Sequence, residues 1–342
     1  MIDGASPPRI AVVGASSLIG EALLQELRAR KFGTAELHAL DDARELGRPV
    51  EDDERKLPVG DVAAFDFARV DLAFFCGRAA VSQRYAEAAA AHAWVIDGSS
   101  AFRGRADVPL VAADVNGSVL GGLRRPALIA LPGSASVALV TVLAPLHALG
   151  ELAGVEVATY HAVSGSGRGA MEGLAAETVD LLGGRKPKVR SYAQQIAFNV
   201  IPQVDALDAD GVSLEERRLV DESRRVLAVP DLSINATAVR VPVFFGHGLV
   251  VHARFARVVS VVEAQRILRR SSGVSLVDDA SSQPLPTPAV AALSADRVHV
   301  GRLRAGMQRD RSLNFWIVAD NVRKCAAYNA VSAAQILVNR DH

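Results

Sequence analysis

Ile10-Ala11-Val12-Val13-Gly14-Ala15-Ser16-Ser17-Leu18-Ile19-Gly20 is a short apolar run that stops at a glycine and passes into a segment with apolar residues at helical spacing. Ile19, Leu23, Leu24 and Leu27 fall on one face of a helix over residues 18–31, so the stretch reads as strand, tight turn, helix. Similar apolar runs recur at residues 35–40, 70–76, 93–96 and 127–131, several separated by helix-forming segments such as 79–92. Strands apolar on both faces and alternating with helices indicate a parallel sheet covered on both sides.

That setting gives the opening turn a chemical meaning. Glycines at Gly14 and Gly20 permit a tight turn and close approach of a pyrophosphate, which then rests on the helix N-terminal N–H groups. Ser16, Ser17, Leu18 and Ile19 complete the candidate cofactor contacts, in a Rossmann-like domain. The second strand ends in Asp41-Asp42-Ala43-Arg44. An acidic residue there accepts the ribose hydroxyls of NAD, whereas an arginine such as Arg44 favours the 2′-phosphate of NADP. Both residue types are present, so NADP or NAD remains open from the sequence.

After Pro132 the texture changes. Residues 136–149 read as a buried helix, followed by longer strands at 155–163, 237–245, 249–259, 298–303 and 313–318 and helices at 169–182, 214–227 and 262–270. This is the pattern of a second, α+β domain with a mixed or antiparallel sheet. Residues 271–288, rich in Ser, Asp and Pro, read as a loop, and 321–338 as a terminal amphipathic helix. The length of 342 residues suits two domains. We expect the first over 1–133 plus 323–342 and a substrate and dimerisation domain over 134–322.

Composition removes whole classes of function. Lys plus Arg (38) equals Asp plus Glu (38), which offers no basic surface for nucleic acid or anionic membrane. No stretch of about 18 apolar residues occurs, and Cys76 and Cys325 are the two cysteines, too few for a disulfide framework and without metal-ligand spacing. The chain reads as soluble and cytoplasmic, with no metal, nucleic-acid or membrane partner.

Several further segments appear in order: Asp97-Gly98-Ser99-Ser100-Ala101-Phe102-Arg103, Leu131-Pro132-Gly133-Ser134-Ala135-Ser136, Tyr160-His161-Ala162-Val163-Ser164-Gly165-Ser166-Gly167, Arg240-Val241-Pro242-Val243-Phe244-Phe245-Gly246-His247 and Asp320-Asn321-Val322-Arg323-Lys324. With Ala11-Val12-Val13-Gly14-Ala15 they make the chain resemble the aspartate-β-semialdehyde dehydrogenase family over essentially its whole length. The resemblance implies a homodimer of two-domain subunits, an NADP-binding first domain, and reversible reductive dephosphorylation of aspartyl phosphate to aspartate semialdehyde. That reaction uses a cysteine thiolate, an acid/base histidine, arginines for a small anionic substrate and a nicotinamide. By the resemblance Arg103 holds phosphate, Arg240 forks onto the substrate carboxylate, His247 is the acid/base, and Asn321 lies beside the nicotinamide. Glu215 and Arg218 stand where the family has a glutamate and a lysine.

The departures carry as much information. One glycine of the family form of the dinucleotide loop is replaced by Ser17. The family nucleophile motif Asn-Pro-Asn-Cys-Ser-Thr reads Leu131-Pro132-Gly133-Ser134-Ala135-Ser136, which puts Ser134 at the position of the cysteine. The family glutamine is His161, and the serine and glutamate after the acid/base histidine are Gly248 and Leu249. The chain looks like one of the family paralogues that lack the cysteine. An alcohol is a poor nucleophile without a placed base, and an ester is a worse acyl donor than a thioester.

Three readings follow. The parent activity is lost or strongly reduced while NAD(P) and anion binding persist; or the chain is an active oxidoreductase on a related acyl or aldehyde substrate using His247 or His161; or Ser134 serves a hydrolase. As a purely structural residue Ser134 would cap a helix over residues 135–149, and Arg217, Arg224 and Arg225 would form a solvated helix face.

Overall fold

The run at residue 10 forms strand β1 (Arg9–Val13), and the turn after it leads into helix α1 (Leu18–Ala29). In the computed structural model, which describes residues 7–47, 49–52, 55–277, 284–291, 296–307 and 311–339, the chain divides into two compact units, Met1–Gly133 with Ala326–His342 and Ser134–Cys325.

The first unit adds β2 (Glu36–Asp41), β3 (Val50–Asp52), β4 (Arg55–Leu57), β5 (Val59–Asp61), β6 (Leu72–Phe75), α2 (Ala79–Ala89), β7 (Trp94–Asp97) and β8 (Ala127–Ala130). Its main sheet has the order β5-β2-β1-β6-β7-β8 and is parallel throughout. Ile10 through Val13, Ala73, Phe74, Phe75 and Val95 are all fully buried, as expected for strands covered on both faces. The edge strand β5 is absent from the sequence reading. Val59-Gly60-Asp61 is only three residues long and carries no apolar run that could announce it.

The second unit comprises α3 (Ser134–Gly150), β9 (Leu152–His161), α4 (Arg168–Leu182), α5 (Leu214–Leu227), β10 (Ser233–Arg240), β11 (His247–Phe255), α6 (Val261–Arg270), β12 (Val274–Val277), β13 (Val298–Ala305) and β14 (Ser312–Ala319). The sheet order is β10-β9-β11-β14-β13-β12, with parallel pairs at both edges and antiparallel pairs between. Val155, Val157, Leu249, Val251, Leu313, Phe315 and Ile317 alternate onto one face and pack with Leu139, Leu143 and Leu146 of α3 in a single core. The opposite face carries Glu156, Tyr160, Val250 and Trp316, and Val250 is 46% exposed there. A parallel-sheet Rossmann-like domain and a mixed-sheet domain are therefore both present.

Several local expectations need correction. The segment 271–288 contains β12, which pairs parallel with β13; its Ser and Asp content masks four strand residues, and 278–283 lie outside the described residues. The second strand of the second unit, β10, ends at Arg240, short of residue 245, because Pro242 cannot donate to a ladder. The terminal helix begins as a π-helical turn at Arg323–Tyr328 before becoming α7 (Asn329–Val338). Helix α3 starts at Ser134 itself, so Ser134 is its first helical residue and does not precede a helix at 135. Arg224 is part-buried and donates from Nε to Leu232 O at 2.9 Å, so it is not part of a purely solvated face.

The C-terminal residues join the first unit through named contacts. Arg30, at the end of α1, donates to Ser332 Oγ and Gln335 Oε1, both at 2.8 Å, and its guanidinium lies 3.8 Å from the centre of the Tyr328 ring. Asn329 accepts from Ala113 N at 2.7 Å and donates to Val111 O at 3.2 Å.

Candidate functional site

The glycine loop of the first unit is packed so closely that two of its positions leave no room for a side chain. Gly14 has φ +81°, and a Cβ there would lie 2.5 Å from Gly77 N. A Cβ on Gly20 would lie 2.3 Å from Gly14 O and 2.7 Å from Ala15 Cα, so only glycine lets α1 approach the loop this closely. Ser17, in place of a further glycine, is the N-cap of α1: its Oγ accepts from Gly20 N at 3.0 Å and donates to Cys76 O at 3.1 Å. Leu18 and Ile19 open the helix, where N–H groups have no intrahelical acceptor. Ser16 bonds to Asp41, and Arg44 sits exposed in the turn after β2, its backbone N donating to Asp42 Oδ1 at 3.1 Å. These residues fit a dinucleotide.

Arg103 belongs to the same unit. Asp97 is fully buried at the end of β7 and accepts from Ser99 Oγ at 2.9 Å, with burial raising its pKa. This folds back the turn that leads to Arg103, whose Nη2 donates to Gly98 O at 2.8 Å.

In the second unit, strand register assembles a cluster from three chain segments. Parallel pairing of β9 and β10 sets Arg240 opposite His161, and antiparallel β11 begins with His247 at that same end. The two imidazole centres are 4.5 Å apart. Ala162 N donates to His247 Nδ1 at 3.1 Å, which leaves the ring proton of the neutral imidazole on Nε2, as a donor. His161 Nε2 is 2.9 Å from Thr159 Oγ1 and 3.9 Å from Glu215 Oε1 on α5. Burial holds His161 down to about 3, with the Arg240 charge adding to the effect, so at neutral pH the contact with Glu215 is not an ion pair. Burial, helped by His161 and Arg240, likewise holds His247 well below its ordinary value.

Arg240 is 6% exposed, and burial lowers its pKa while Tyr192, Glu215 and Asp205 act in the other direction. Its Nη1 donates to Ala162 O at 2.8 Å and its guanidinium lies 5.7 Å from the Tyr192 ring centre, yet its buried Nε has no hydrogen-bond partner. A buried, partly unsatisfied guanidinium is suited to an anionic ligand. Gly165 packs closely on the cluster, where a Cβ would lie 3.2 Å from Arg240 Nη1 and 3.4 Å from His247 Cε1.

Asn321 supports the cluster from β14's end. Its Oδ1 accepts from Gly246 N at 2.9 Å, next to His247, and its Nδ2 donates to Ser164 Oγ at 3.0 Å. Arg218 is occupied by Asp205 at 2.7 Å. Ser134 stands at the first position of α3, partly exposed. His161, His247, Arg240, Glu215 and Asn321 are thus brought together. Thr159, Ser164 and Tyr192 were missed: Ser164 lies inside a quoted motif, whereas nothing in the sequence announces Tyr192.

Two departures have structural counterparts. A Cβ on Gly248 would fall 2.2 Å from the Trp316 ring, whose Nε1 donates to Pro286 O at 2.8 Å, so glycine there is coupled to tryptophan across the strand pair. Both thiols are buried, Cys76 at 7% and Cys325 at 2% exposure. Burial, with Asp97 and Asp41 nearby, pushes Cys76 up to about 12. Among the described residues no helix is long and apolar enough to cross a membrane, and no group of three His, Cys, Asp or Glu is placed to hold a metal.

Comparison with known proteins agrees with both units. Residues 9–122 match the model of the semialdehyde dehydrogenase NAD binding domain, and residues 143–324 that of the semialdehyde dehydrogenase dimerisation domain. The chain is 39% identical over 329 residues to an aspartate-semialdehyde dehydrogenase of Legionella pneumophila, covering 96% of this chain and 95% of that protein. It is also 39% identical to a USG-1 protein homolog of Pseudomonas aeruginosa, covering 97% and 98%. The crystal structure of aspartate semialdehyde dehydrogenase II complexed with ASA from Vibrio cholerae superposes with a TM-score of 0.94 at 34% identity, covering 98% of this chain and 99% of that one. With family models matching most of the chain and relatives this similar over its full length, the chain belongs to the aspartate-semialdehyde dehydrogenase family.

Proposed function

We propose that this chain is a family member in which Ser134 occupies the nucleophile position, so that phosphate-dependent interconversion of aspartyl phosphate and aspartate semialdehyde is lost or strongly reduced while dinucleotide and anion binding persist. The observation that carries the reading is the state of the two thiols. Residue 134 is a serine at the start of α3, and both cysteines are buried, one with its pKa raised to about 12. A thiolate is the attacking species in acyl transfer through cysteine, and neither thiol is exposed to supply it.

The binding functions rest on separate groups. The Gly14–Gly20 loop accommodates a pyrophosphate, and bound NAD or NADP would supply hydride exchange at its nicotinamide. In the second unit Arg240, with its unpartnered Nε, holds an anionic group of a small ligand, with Glu215 and the Arg218-paired Asp205 setting the charge around it; Arg103, in the first unit, is a separate candidate anion contact. His247 donates from Nε2 to a ligand oxygen, and Asn321 fixes the turn that presents it. The outer face of the mixed sheet, with Val250, Tyr160 and Trp316, supports homodimer formation.

Continued oxidoreductase chemistry through His247 or His161 is the second reading, favoured by their 4.5 Å juxtaposition beside Arg240. Intact-mass spectrometry of native protein mixed with aspartate semialdehyde and either dinucleotide tests the main proposal. No acyl adduct is expected at Ser134, and an adduct formed with stoichiometric dinucleotide reduction overturns it.

A further inference from the structure

The carboxyl ends of β1, β2 and β6 meet beside the glycine loop, and the side chains gathered there bear on which dinucleotide it accepts. Gly14 N and Ala15 N both donate to Leu40 O, at 2.8 and 3.2 Å, which ties the loop to the end of β2. Asp41 is 7% exposed, and it accepts from Ser16 Oγ through one carboxylate oxygen and from Asp42 N through the other, the latter at 2.9 Å. Asp41 is thereby a clamp between strand and loop. Asp42, the next residue, is the accessible carboxylate, its side chain 24% exposed. Its Oδ1 accepts from Arg44 N at 3.1 Å and its Oδ2 pairs with Arg78 Nη2. Arg78 follows Gly77, whose backbone abuts Gly14, so the Asp42–Arg78 pair spans the rim of the loop from β2 to β6.

In a sheet of this topology the adenosine ribose lies over the end of the second strand. We propose that Asp42, held in place by Arg78, makes this chain select NAD over NADP. An ionised carboxylate offers about four lone-pair sites, so Asp42 keeps acceptor capacity for the 2′- and 3′-hydroxyls beyond its bonds to Arg44 and Arg78. A 2′-phosphate brings about two negative charges to the same place. There it meets the accessible Asp42 carboxylate, with buried Asp41 next to it in the chain, and the cation shown against that carboxylate, Arg78, is already paired with it. Arg78 Nη2 is already spent on Asp42, so the charge that could meet a 2′-phosphate is offset before the phosphate arrives. The inference rests on the dinucleotide-binding reading of the loop and deepens it.

Isothermal titration calorimetry of the full chain with NAD⁺ and NADP⁺, without substrate, is the test. The native chain is expected to bind NAD⁺ tighter by about tenfold or more, the scale of one charge-assisted hydrogen bond. Asp42→Ser, which frees Arg78, is expected to erase or reverse that preference. Asp42→Asn, which keeps the shape and removes the charge, serves if the serine loosens the turn. Equal or tighter NADP⁺ binding by the native chain, or an unchanged preference in a folded Asp42 variant, overturns the assignment and leaves dinucleotide binding standing. Binding of neither dinucleotide overturns both.

Discussion

Acidification should weaken the second unit through its two buried histidines, and His161 permits a quantitative expectation. Its folded pKa lies near 3, against 6.5 for a free imidazole. A histidine with a depressed folded pKa favours the folded state fully above pH 6.5, and that contribution is lost as pH falls toward 3, because the unfolded chain takes up the proton first. Between pH 7.5 and pH 5 the loss amounts to about 2 kcal/mol for His161 alone. His247 is lowered by the same causes and adds to the slope. The assay is urea unfolding at both pH values, followed by Trp316 fluorescence in a Trp94→Phe background so that the second unit reports alone. The native pair should lose about 2 kcal/mol more than His161→Gln over this interval, since carboxylates common to both cancel in the difference. An identical pH dependence in the two proteins would refute the burial argument for His161.

Other expectations follow from single contacts. Gly20→Ala drives a methyl to 2.3 Å from Gly14 O and should abolish dinucleotide binding in calorimetry, with a stability loss of about 1–3 kcal/mol. Gly248→Ser collides with the Trp316 ring at 2.2 Å and should lower stability by a similar about 1–3 kcal/mol, most of it recovered in Gly248→Ser with Trp316→Leu; an unrelieved double variant would show that the ring is not the obstacle. Arg240→Lys removes the unpartnered Nε and the forked geometry, and titration with aspartate semialdehyde should show about tenfold weaker binding. Undiminished binding would place the anion elsewhere.

Legibility in the sequence followed burial. β1, β6 and β7 are apolar on both faces and announce themselves, whereas β5 and β12 are short edge strands whose pairing comes from a neighbour and not from their own residues. His161, Arg240 and His247 were legible because each sits in a motif at a strand end. What brings them together is the register of β9 with β10 and β11, which no local pattern encodes. Ser17 read as a lost glycine and proved to be a helix cap with both bonds used. Asp42 and Arg78 are 36 residues apart, and their pairing depends on two loops converging at Gly14 and Gly77. Tyr192 reaches Arg240 from an irregular segment with no periodicity to read.

The central claim is that Ser134 leaves the parent reaction without its nucleophile. Turnover of aspartate semialdehyde by the native chain, with phosphate and each dinucleotide, measured beside Ser134→Cys, tests it most directly. The native chain is expected to stay at background with both cofactors, and the cysteine variant reports whether the surrounding groups still support the chemistry. Native turnover at an ordinary enzymatic rate, about 1 s⁻¹ or faster, dependent on both phosphate and dinucleotide, would contradict the account.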